Sequence, residues 1–371
     1  MRITAVSAWF PTAAAPSRGS FVLRDLLAIA RHHEVRLVHL VPPQDADGTV
    51  REVVEGLEVL RVPMSPRRPA EVLSAARALG PALAGADVVH TMAFPSLLPF
   101  SVPGLSPVPQ DAAWVHTEHW SALSTPASLP APVRPALPLL ARVLRGPDRV
   151  TSVCEFLAEP IRAVRGTRPV DIVPCIVDPH AVVPRRDRSD GGLRLVSTGG
   201  LIPRKDPLVA VATIAELVGR GVDAHLTWLG DGPLREATAE EARRLGVSER
   251  VDLVGTVDAA GVVAHLSAAD LFFGPTRADN FFVSAAEAIV AGRPVVLGAT
   301  GGQGEYVRDE VGALVDVQDA DAYADAVLAV DARTRDLPAD EIAATIGDSF
   351  STPTVGRGYD AVYRRAVSAA H

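Results

Sequence analysis

Lysine is almost absent from this chain. Of the 36 basic residues, Lys205 is the one lysine and all the others are arginine. Cysteine is also scarce: Cys154 and Cys175 cannot build a disulfide framework, and no CxxC metal pair occurs. The formal net charge is -8 at pH 7, so no overall basic field indicates a nucleic-acid-binding protein.

Long hydrophobic runs are missing as well. Every apolar stretch is interrupted before the ~18 residues that a membrane-spanning helix needs, which excludes a polytopic membrane protein. The N-terminal run that ends at Pro11 is too short for a signal peptide and is typical of a first strand. We therefore expect a cytoplasmic protein.

What is present is a regular alternation of short apolar segments with helical ones. Hydrophobic residues make up 48% and charged residues 22% of the 371 residues, as in ordinary globular proteins. At roughly 150 residues per domain, this length predicts two domains. The alternation predicts the α/β class, with parallel sheets and right-handed crossovers.

Two composition changes divide the chain. A polar segment over 180–192 ends in glycines, and the alternation restarts after it, so we predict a first domain over 1–182 and a second over 183–350. The remaining 351–371 reads as an amphipathic terminal helix. Eleven prolines between Phe94 and Pro147 predict loops and short helical turns there, because proline removes a donor and restricts its predecessor.

Features suited to phosphate binding cluster in the second half. A predicted strand ends at Gly199-Gly200, and Arg204 and Lys205 follow before a helix. Glycine lets the backbone approach a phosphate closely, and basic side chains beyond a strand's carboxyl end lie where phosphate charge would be. Neither a Walker A loop nor GxGxxG is present. An ordinary loop with a solvated basic pair explains this segment equally well.

A pair of acids marks a third segment. Asp279 precedes a predicted helix and Glu287 lies within it, eight positions on, just over two helical turns away. Glu287 is flanked by alanine and isoleucine, and a carboxylate in an apolar setting should have a partner. A ribose diol is a suitable one.

Taken together, these motifs resemble glycosyltransferase family 4. The matching set is Gly199 to Lys205, Gly230-Asp-Gly-Pro, Gly255, Asp279-x7-Glu287, Gly292-x-Pro294, Gly301-Gly-x2-Glu305, Gly19-Ser-Phe-Val, Val115 to His119, and the segments at 152–157 and 173–178. The resemblance implies the GT-B fold, which is two facing Rossmann-like domains with helices on both faces of parallel sheets. It also implies a C-terminal helix that returns to the N-terminal, acceptor-binding domain.

The resemblance further implies a role for each matching residue. The catalytic set would be His119, Asp279 and Lys205, with Lys205 holding the donor diphosphate and His119 beside the anomeric carbon. The residues that bind the nucleotide sugar would be Gly19, Gly200, Arg204, Lys205, Gly255, Phe281, Phe282, Val283 and Glu287. His116 and Glu118 would face the acceptor. Without the resemblance, hydrogen-bonded structural histidines are the better interpretation of His116 and His119.

Three positions depart from the family pattern. Gly200 stands where the family usually has arginine, and Arg204 could take over that charge. Asp279 replaces glutamate, which shortens the side chain by one methylene. Phe282 replaces a frequent glycine, so a bulky ring is expected near the donor. The departures could retune the donor geometry or weaken catalysis.

The expected activity is transfer of a sugar, with retention, from a nucleotide-diphosphate sugar to a small-molecule, glycan or lipid acceptor. Arg204, Lys205 and helix-start amides can stabilise a leaving diphosphate without a metal, and the Asp-x-Asp pairs at Asp45 and Asp319 lie outside the donor motifs. We therefore expect no metal or other cofactor. Aromatic residues are 5% of the chain, which favours a small acceptor over a long glycan.

Other interpretations fit the same residues. The protein could bind a nucleotide sugar without transferring it, or could be a GT-B epimerase that acts on the nucleotide sugar itself. Leucines and arginines over 129–145 could form a weak membrane-surface contact, although such a pattern more often packs on its own domain. A monomer and a homodimer are both compatible with the sequence, and no nucleic-acid partner is expected.

Overall fold

A computed structural model describes residues 1–16, 18–179, 182–188 and 191–370. The chain divides into unit 1, formed by Met1–Ile176 with Phe350–His371, and unit 2, formed by Val177–Ser349. The boundaries predicted from the sequence are 182/183 and 350/351. Part of the predicted boundary segment, at 180–181 and 189–190, lies outside the described residues.

Unit 1 is built on a mixed sheet. Its strands are β1 (Arg2–Ser7), β2 (Glu34–Val41), β3 (Arg51–Val54), β4 (Leu57–Pro63), β5 (Val88–Met92), β6 (Ala113–Glu118), β7 (Arg149–Ser152) and β8 (Val170–Ile172). Their order is β3-β4-β2-β1-β5-β6-β7-β8. All neighbours are parallel except β3 and β4.

Two layers of helices cover this sheet. They are α1 (Ser20–Ala30), α2 (Pro69–Leu83), α3 (Leu137–Leu140), α4 (Glu155–Arg165) and the terminal α11 (Thr352–Ala370). Alternate residues of β1 point to opposite faces. Ile3 and Ala5 pack in a core with α1 and α11, whereas Val6 packs with α2. The terminal helix therefore packs on the N-terminal unit, as the resemblance implied.

Unit 2 is built on a parallel sheet. Its strands are β9 (Leu193–Thr198), β10 (Ala224–Leu229), β11 (Val251–Gly255), β12 (Leu271–Gly274), β13 (Val295–Gly298) and β14 (Gly312–Val315), in the order β11-β10-β9-β12-β13-β14. Its helices are α5 (Pro207–Gly219), α6 (Arg235–Arg244), α7 (Ala259–Ala268), α8 (Val283–Val290), α9 (Ala320–Thr334) and α10 (Ala339–Ala344). Side chains cap two of them: Asp258 accepts from Gly261 at α7, and Asp319 accepts from Asp321 and Ala322 at α9.

One hairpin is not evident from the sequence. Strands β3 and β4 pair antiparallel around a two-residue turn, where Glu55 and Gly56 have φ of 47° and 87°. Positive φ at both central residues is the type I′ geometry, for which asparagine or aspartate followed by glycine is the usual signal. Glutamate at the first position hides that signal. Over 94–147 the structure has β6 and short helical turns joined by loops, as the prolines predicted.

Two glycines let the ends of β9 and β10 approach each other. A Cβ atom on Gly230 would lie 2.1 Å from the Gly199 carbonyl oxygen, and Gly230 has φ of 137°. Its amide donates to the Gly255 carbonyl at 2.8 Å. Any side chain at this position would therefore separate the loops at the carboxyl edge of the sheet.

We predict that Gly230→Ala destabilises unit 2 by about 2–4 kcal/mol, because it adds backbone strain and a steric clash. Urea unfolding followed by circular dichroism measures this loss. Gly219→Ala is the matched control, since Gly219 ends α5 with open space around it. That change should be neutral or stabilise by up to about 1 kcal/mol. Equal effects of the two substitutions would contradict the prediction.

Candidate functional site

The carboxyl ends of the unit 2 strands bring the sequence motifs together. Because parallel strands end at the same edge, the loops after β9, β10, β12 and β13 lie side by side. Gly199 has φ of 146°, and a Cβ there would lie 3.3 Å from Cε of Lys205. The aliphatic part of the Lys205 side chain therefore packs directly against the Gly199 backbone. The Trp228 indole donates to the Gly199 carbonyl at 2.8 Å and fixes the turn.

A single carboxylate accepts hydrogen bonds from both cationic side chains of the loop after β9. Oδ2 of Asp279 accepts from Nη1 of Arg204 at 2.6 Å and from Nζ of Lys205 at 2.8 Å. Its other oxygen, Oδ1, accepts the backbone N–H of Phe282 at 3.2 Å. Asp279 therefore joins the basic pair to the start of α8. The sequence placed these three side chains in one site but did not predict that the acid binds both bases.

Further bonds fasten the loop after β12 to the loop after β9. The Arg204 carbonyl accepts the amide of Arg277 at 2.8 Å and the hydroxyl of Thr276 at 3.0 Å. The Arg277 side chain in turn forms an ion pair of 2.6 Å with Asp206, which stands at φ of 50° before α5. The two loops are thus one preorganised unit, and the basic pair does not depend on Asp279 alone for its position.

Burial and the neighbouring charges shift the pKa values of this cluster in opposite directions. The side chains of Lys205 and Asp279 are 11% and 15% exposed. Burial alone would raise the pKa of Asp279, but the nearby Lys205 and Arg204 outweigh it and hold the pKa below its usual value. Burial lowers the pKa of Lys205, and Asp279 opposes that shift. Each group therefore favours the charged form of the other.

The Phe282 ring, which the sequence predicted to lie near the donor, is buried at the start of α8. The residue has φ of 59°, which glycine tolerates best, yet its side chain is only 2% exposed. The ring lies against Gly274, where a Cβ would come within 2.6 Å of it. Nζ of Lys205 lies 3.6 Å from the ring centroid, a cation–π distance. The ring therefore forms the floor beneath Lys205.

The other unit 2 residues that were predicted to bind the nucleotide sugar lie along the same edge of its sheet. Gly200 packs near the Asp231 carbonyl, and Gly255 ends β11 with φ of 90°. Phe281 is buried, with its ring 5.4 Å from that of Tyr306, and Val283 begins α8. Glu287 is partly exposed and lies about one turn into α8. The amide of Phe282, expected to contact the donor, already donates to Asp279.

In unit 1, Gly19 and His119 lie near the start of α1. Gly19 has φ of 67°, and a Cβ there would lie 2.4 Å from the Trp9 carbonyl carbon, so this loop requires glycine. The next residue but one, Phe21, has its ring 4.6 Å from the ring of His119. The His119 side chain is 10% exposed. Burial lowers its pKa to about 4, so the imidazole is neutral at pH 7.

His116 and Glu118, the predicted acceptor residues, are both fully enclosed. Nε2 of His116 lies 3.1 Å from Oε2 of Glu118, and its Nδ1 lies 3.0 Å from the Thr91 hydroxyl. Oε1 of Glu118 accepts the amides of His119 and Trp120, both at 2.8 Å. In this arrangement the pair holds the backbone at the end of β6, and contact of either side chain with an acceptor would require a rearrangement.

Several residues around these groups were not predicted from the sequence. Asp25 of α1 is 4% exposed and lies 3.9 Å from Nε2 of His119. Its spacing from the buried residues Val22 and Ile29 is three and four positions, which puts an acid on the apolar face of the helix. That pattern was a usable signal. Tyr359 and Tyr363 of α11 could not be assigned to this region without the fold.

The two α/β units and the loops at the carboxyl edge of the second sheet define the GT-B class. The sucrose-phosphate synthase of Thermosynechococcus elongatus matches over 99% of each chain with a TM-score of 0.78 at 20% identity. The lipopolysaccharide outer core galactosyltransferase WaaB matches over 98% of this chain and 100% of its own, with a TM-score of 0.75 at 14% identity. At such low identity, these similarities establish the fold alone.

The sequence comparisons establish the family. The sequence model described as "Glycosyl transferases group 1" matches residues 192–331, and that described as "Glycosyl transferase 4-like domain" matches residues 21–176. The chain belongs to glycosyltransferase family 4, which confirms the resemblance stated from the motifs.

Two relatives illustrate the range of named activities. A GDP-mannose-dependent alpha-(1-6)-phosphatidylinositol monomannoside mannosyltransferase of Mycolicibacterium smegmatis is 34% identical over 40% of this chain and 42% of its own length. A D-inositol 3-phosphate glycosyltransferase of a Mycobacterium species, strain KMS, is 32% identical over 68% of this chain and 61% of its own length. The chain thus spans less than two thirds of each relative.

Among the described residues, no helix combines the length and apolarity needed to cross a bilayer.

We predict that Asp279→Asn destabilises unit 2 by about 3–5 kcal/mol at pH 7, because it leaves a buried ammonium without its carboxylate. The folded pKa of Asp279 is depressed, so its contribution is complete above pH 4 and is lost as the pH falls through that lower value. Urea unfolding at a series of pH values from 7 down to 2.5 tests both statements. Asp252→Asn, at an exposed position of β11, is the control and should change little. A pH-independent loss would contradict the ion-pair explanation.

We predict that Phe282→Gly also destabilises the protein, although glycine suits the backbone. Glycine adopts the left-handed conformation without the strain of a larger residue, which gains roughly 1–2 kcal/mol. Deleting a buried phenylalanine ring costs roughly 3–5 kcal/mol. The expected net loss is about 1–4 kcal/mol, measured by urea unfolding. Phe282→Leu keeps an apolar side chain and should lose less. A glycine variant more stable than wild type would mean that backbone strain dominates at this residue.

Proposed function

We propose that this protein is a retaining, metal-independent glycosyltransferase that moves a sugar from a nucleotide-diphosphate donor to a small-molecule, glycan or lipid acceptor. The observation that carries the proposal is the convergence of Arg204 and Lys205 on one carboxylate oxygen, at 2.6 and 2.8 Å. Two cations that share one oxygen of Asp279 are spaced to share the oxygens of a diphosphate.

The chemistry of transfer explains why this cluster suits a donor. As the bond to the sugar breaks, negative charge builds on the leaving diphosphate and positive charge on the sugar ring. Lys205, Arg204 and the amino end of α8 favour the diphosphate, and the lysine is a compact point charge on a flexible stem. The donor phosphate would then replace Asp279 as the partner of one or both cations. The carboxylate of Asp279 would thereby become available to the donor sugar.

Arg204 supplies the charge that Gly200 lacks. Its guanidinium hydrogen-bonds the Ala278 carbonyl at 3.1 Å as well as Asp279, so it is held beside Lys205 rather than turned to solvent. We therefore assign Arg204 to the diphosphate in this protein. With two fixed positive charges at the leaving group, stabilisation of the diphosphate needs no divalent ion.

The names of the relatives suggest the first substrates to test. GDP-mannose is the donor in the name of the Mycolicibacterium smegmatis relative, and an inositol unit occurs in the acceptor names of both relatives. We propose GDP-mannose as the first donor and inositol phosphates and phosphatidylinositol mannosides as the first acceptors. In this proposal the neutral imidazole of His119 contacts the donor sugar.

Binding is tested by thermal stabilisation with UDP, GDP, ADP and dTDP and their sugars, with and without EDTA. A ligand at 100 times its dissociation constant should add about 2.7 kcal/mol. We expect one nucleotide to stabilise the wild type regardless of EDTA, and Lys205→Ala to lose the effect. Arg204→Ala should weaken it. Arg244→Ala, an exposed residue of α6 paired with Glu241, is the control and should respond like the wild type.

Transfer is tested with the stabilising donor and the acceptor panel, and the anomeric configuration of the product is determined by NMR. Product with the donor's configuration supports the proposal, and an inverted product contradicts it. The engagement of Asp279 by both cations also favours a second candidate, a protein that binds the nucleotide sugar without transferring it. Donor binding with neither transfer nor slow donor hydrolysis would indicate that function. Conversion of the donor sugar without any acceptor would indicate an epimerase.

A further inference from the structure

Unit 1 buries a carboxylate beneath His119. Asp25 lies on the core side of α1 and is 4% exposed. Its Oδ2 accepts the hydroxyl of Tyr359 at 3.1 Å and lies 3.9 Å from Nε2 of His119. At 3.9 Å, Oδ2 lies beyond hydrogen-bond distance of Nε2, but its charge still acts on that side of the ring. A buried carboxylate is costly, so its position between a hydroxyl and an imidazole calls for an explanation.

The terminal helix supplies the support for this acid. Tyr359 and Tyr363 of α11 are both buried in the core of unit 1. The Tyr363 hydroxyl lies 2.7 Å from Nδ1 of His90, and Nε2 of His90 lies 2.6 Å from the Thr117 hydroxyl, two residues before His119. The chain's last helix therefore contacts the end of β6 through two separate polar routes.

Two neighbouring side chains constrain the imidazole of His119. The Phe21 ring of α1 packs against it at 4.6 Å, and Glu118 holds its backbone amide. Asp25 faces its Nε2 atom. A carboxylate on that side favours the tautomer with the proton on Nε2, which leaves Nδ1 as a hydrogen-bond acceptor.

We propose that Asp25 is a positioning residue for His119, fixing the tautomer and orientation of the imidazole, and that Tyr359 of the terminal helix holds Asp25 in place. The inference rests on the proposed function, because it matters only if His119 lies at the transfer site. Asp25 itself touches no substrate in this arrangement. It acts through His119.

The titration of Asp25 gives the proposal a pH signature. Burial raises the pKa of Asp25 to about 7, and the Tyr359 hydroxyl and Arg24 oppose that shift. The other groups that face it are His119 and the phenol of Tyr363, with His90 behind the two tyrosines. Because the pKa of His119 is lowered to about 4, a change near pH 7 belongs to Asp25 rather than to the imidazole.

The first measurement is the tautomer of His119 in the full chain, read from long-range proton–nitrogen NMR spectra and assigned with a His119→Gln variant. We expect the Nε2–H form above pH 7 and a weaker preference below pH 6. Asp25→Asn should remove this pH dependence. Tyr359→Phe removes a hydrogen bond to the ionised carboxylate, so it should move the transition to higher pH.

The second measurement is the pH profile of transfer. Wild-type kcat should rise through about pH 7, and Asp25→Asn should be flat and, at pH 8, roughly 10- to 100-fold lower, by analogy with the loss of a carboxylate partner behind a metal-binding histidine. The KM for the donor should stay within about twofold. Asp360→Asn is the matched control on α11, where Asp360 pairs with Arg364 at 2.8 Å, and it should behave like the wild type.

His119 ring signals that titrate in Asp25→Asn as they do in the wild type would overturn the proposal. If Asp25→Asn does not fold, as judged by circular dichroism, Tyr359→Phe decides: an unshifted transition overturns it. The NMR result does not depend on catalysis. An absence of transfer activity with a normal Asp25-dependent tautomer would therefore count against the proposed function and not against this pairing.

Discussion

The carboxylate of Asp279 is the constraint on which the donor edge of unit 2 depends. It neutralises a lysine that is 11% exposed, binds a neighbouring arginine and accepts the amide of Phe282. Without it, two positive charges would face each other in a poorly solvated loop, which costs far more than a surface ion pair gains. The two charges that Asp279 balances are the ones that the proposed function assigns to a donor diphosphate.

The two units bury acids in opposite ways. Asp279 has two cations within hydrogen-bond distance, and they hold its pKa below the usual value despite burial. Asp25 has a phenol and a neutral imidazole, and burial raises its pKa to about 7. The first acid is therefore a constant charge across the physiological range, whereas the second changes charge within it. Unit 2 thus offers a fixed electrostatic frame, and unit 1 contains a group that can respond to pH.

The fold class and the donor motifs were accessible from the sequence because they follow local rules. Strands of the second half end in glycine turns, and parallel strands bring those turns to one edge, so these rules alone group Gly199, Lys205 and Asp279. The pairing of Asp279 with Arg204 and Lys205 could not be predicted, because it depends on side-chain directions across two loops. The β3–β4 hairpin was missed because Glu55 replaces the usual turn residue.

Contacts between residues far apart in the sequence are the other feature that could not be predicted. Tyr359 is 334 positions from Asp25 in sequence, and nothing local to α11 indicates that its hydroxyl meets a buried acid of α1. The acceptor assignment of His116 and Glu118 drew on strand alternation and family resemblance. Alternation puts 116 and 118 on one side of the strand and so allows Glu118 to orient a histidine, but only the structure shows that the two side chains bond to each other inside unit 1.

Phe282 illustrates how one substitution can keep a site while changing its support. A glycine here would adopt φ of 59° without strain, so the phenylalanine is retained against a local cost. Its ring fills the space above Gly274 and presents its face to Nζ of Lys205 at 3.6 Å. An aromatic face attracts an ammonium without competing for its hydrogen-bond donors, which Asp279 or a phosphate can still accept. The ring therefore stabilises the positive charge of Lys205, and the bulky residue noted in the sequence forms the floor beneath that lysine.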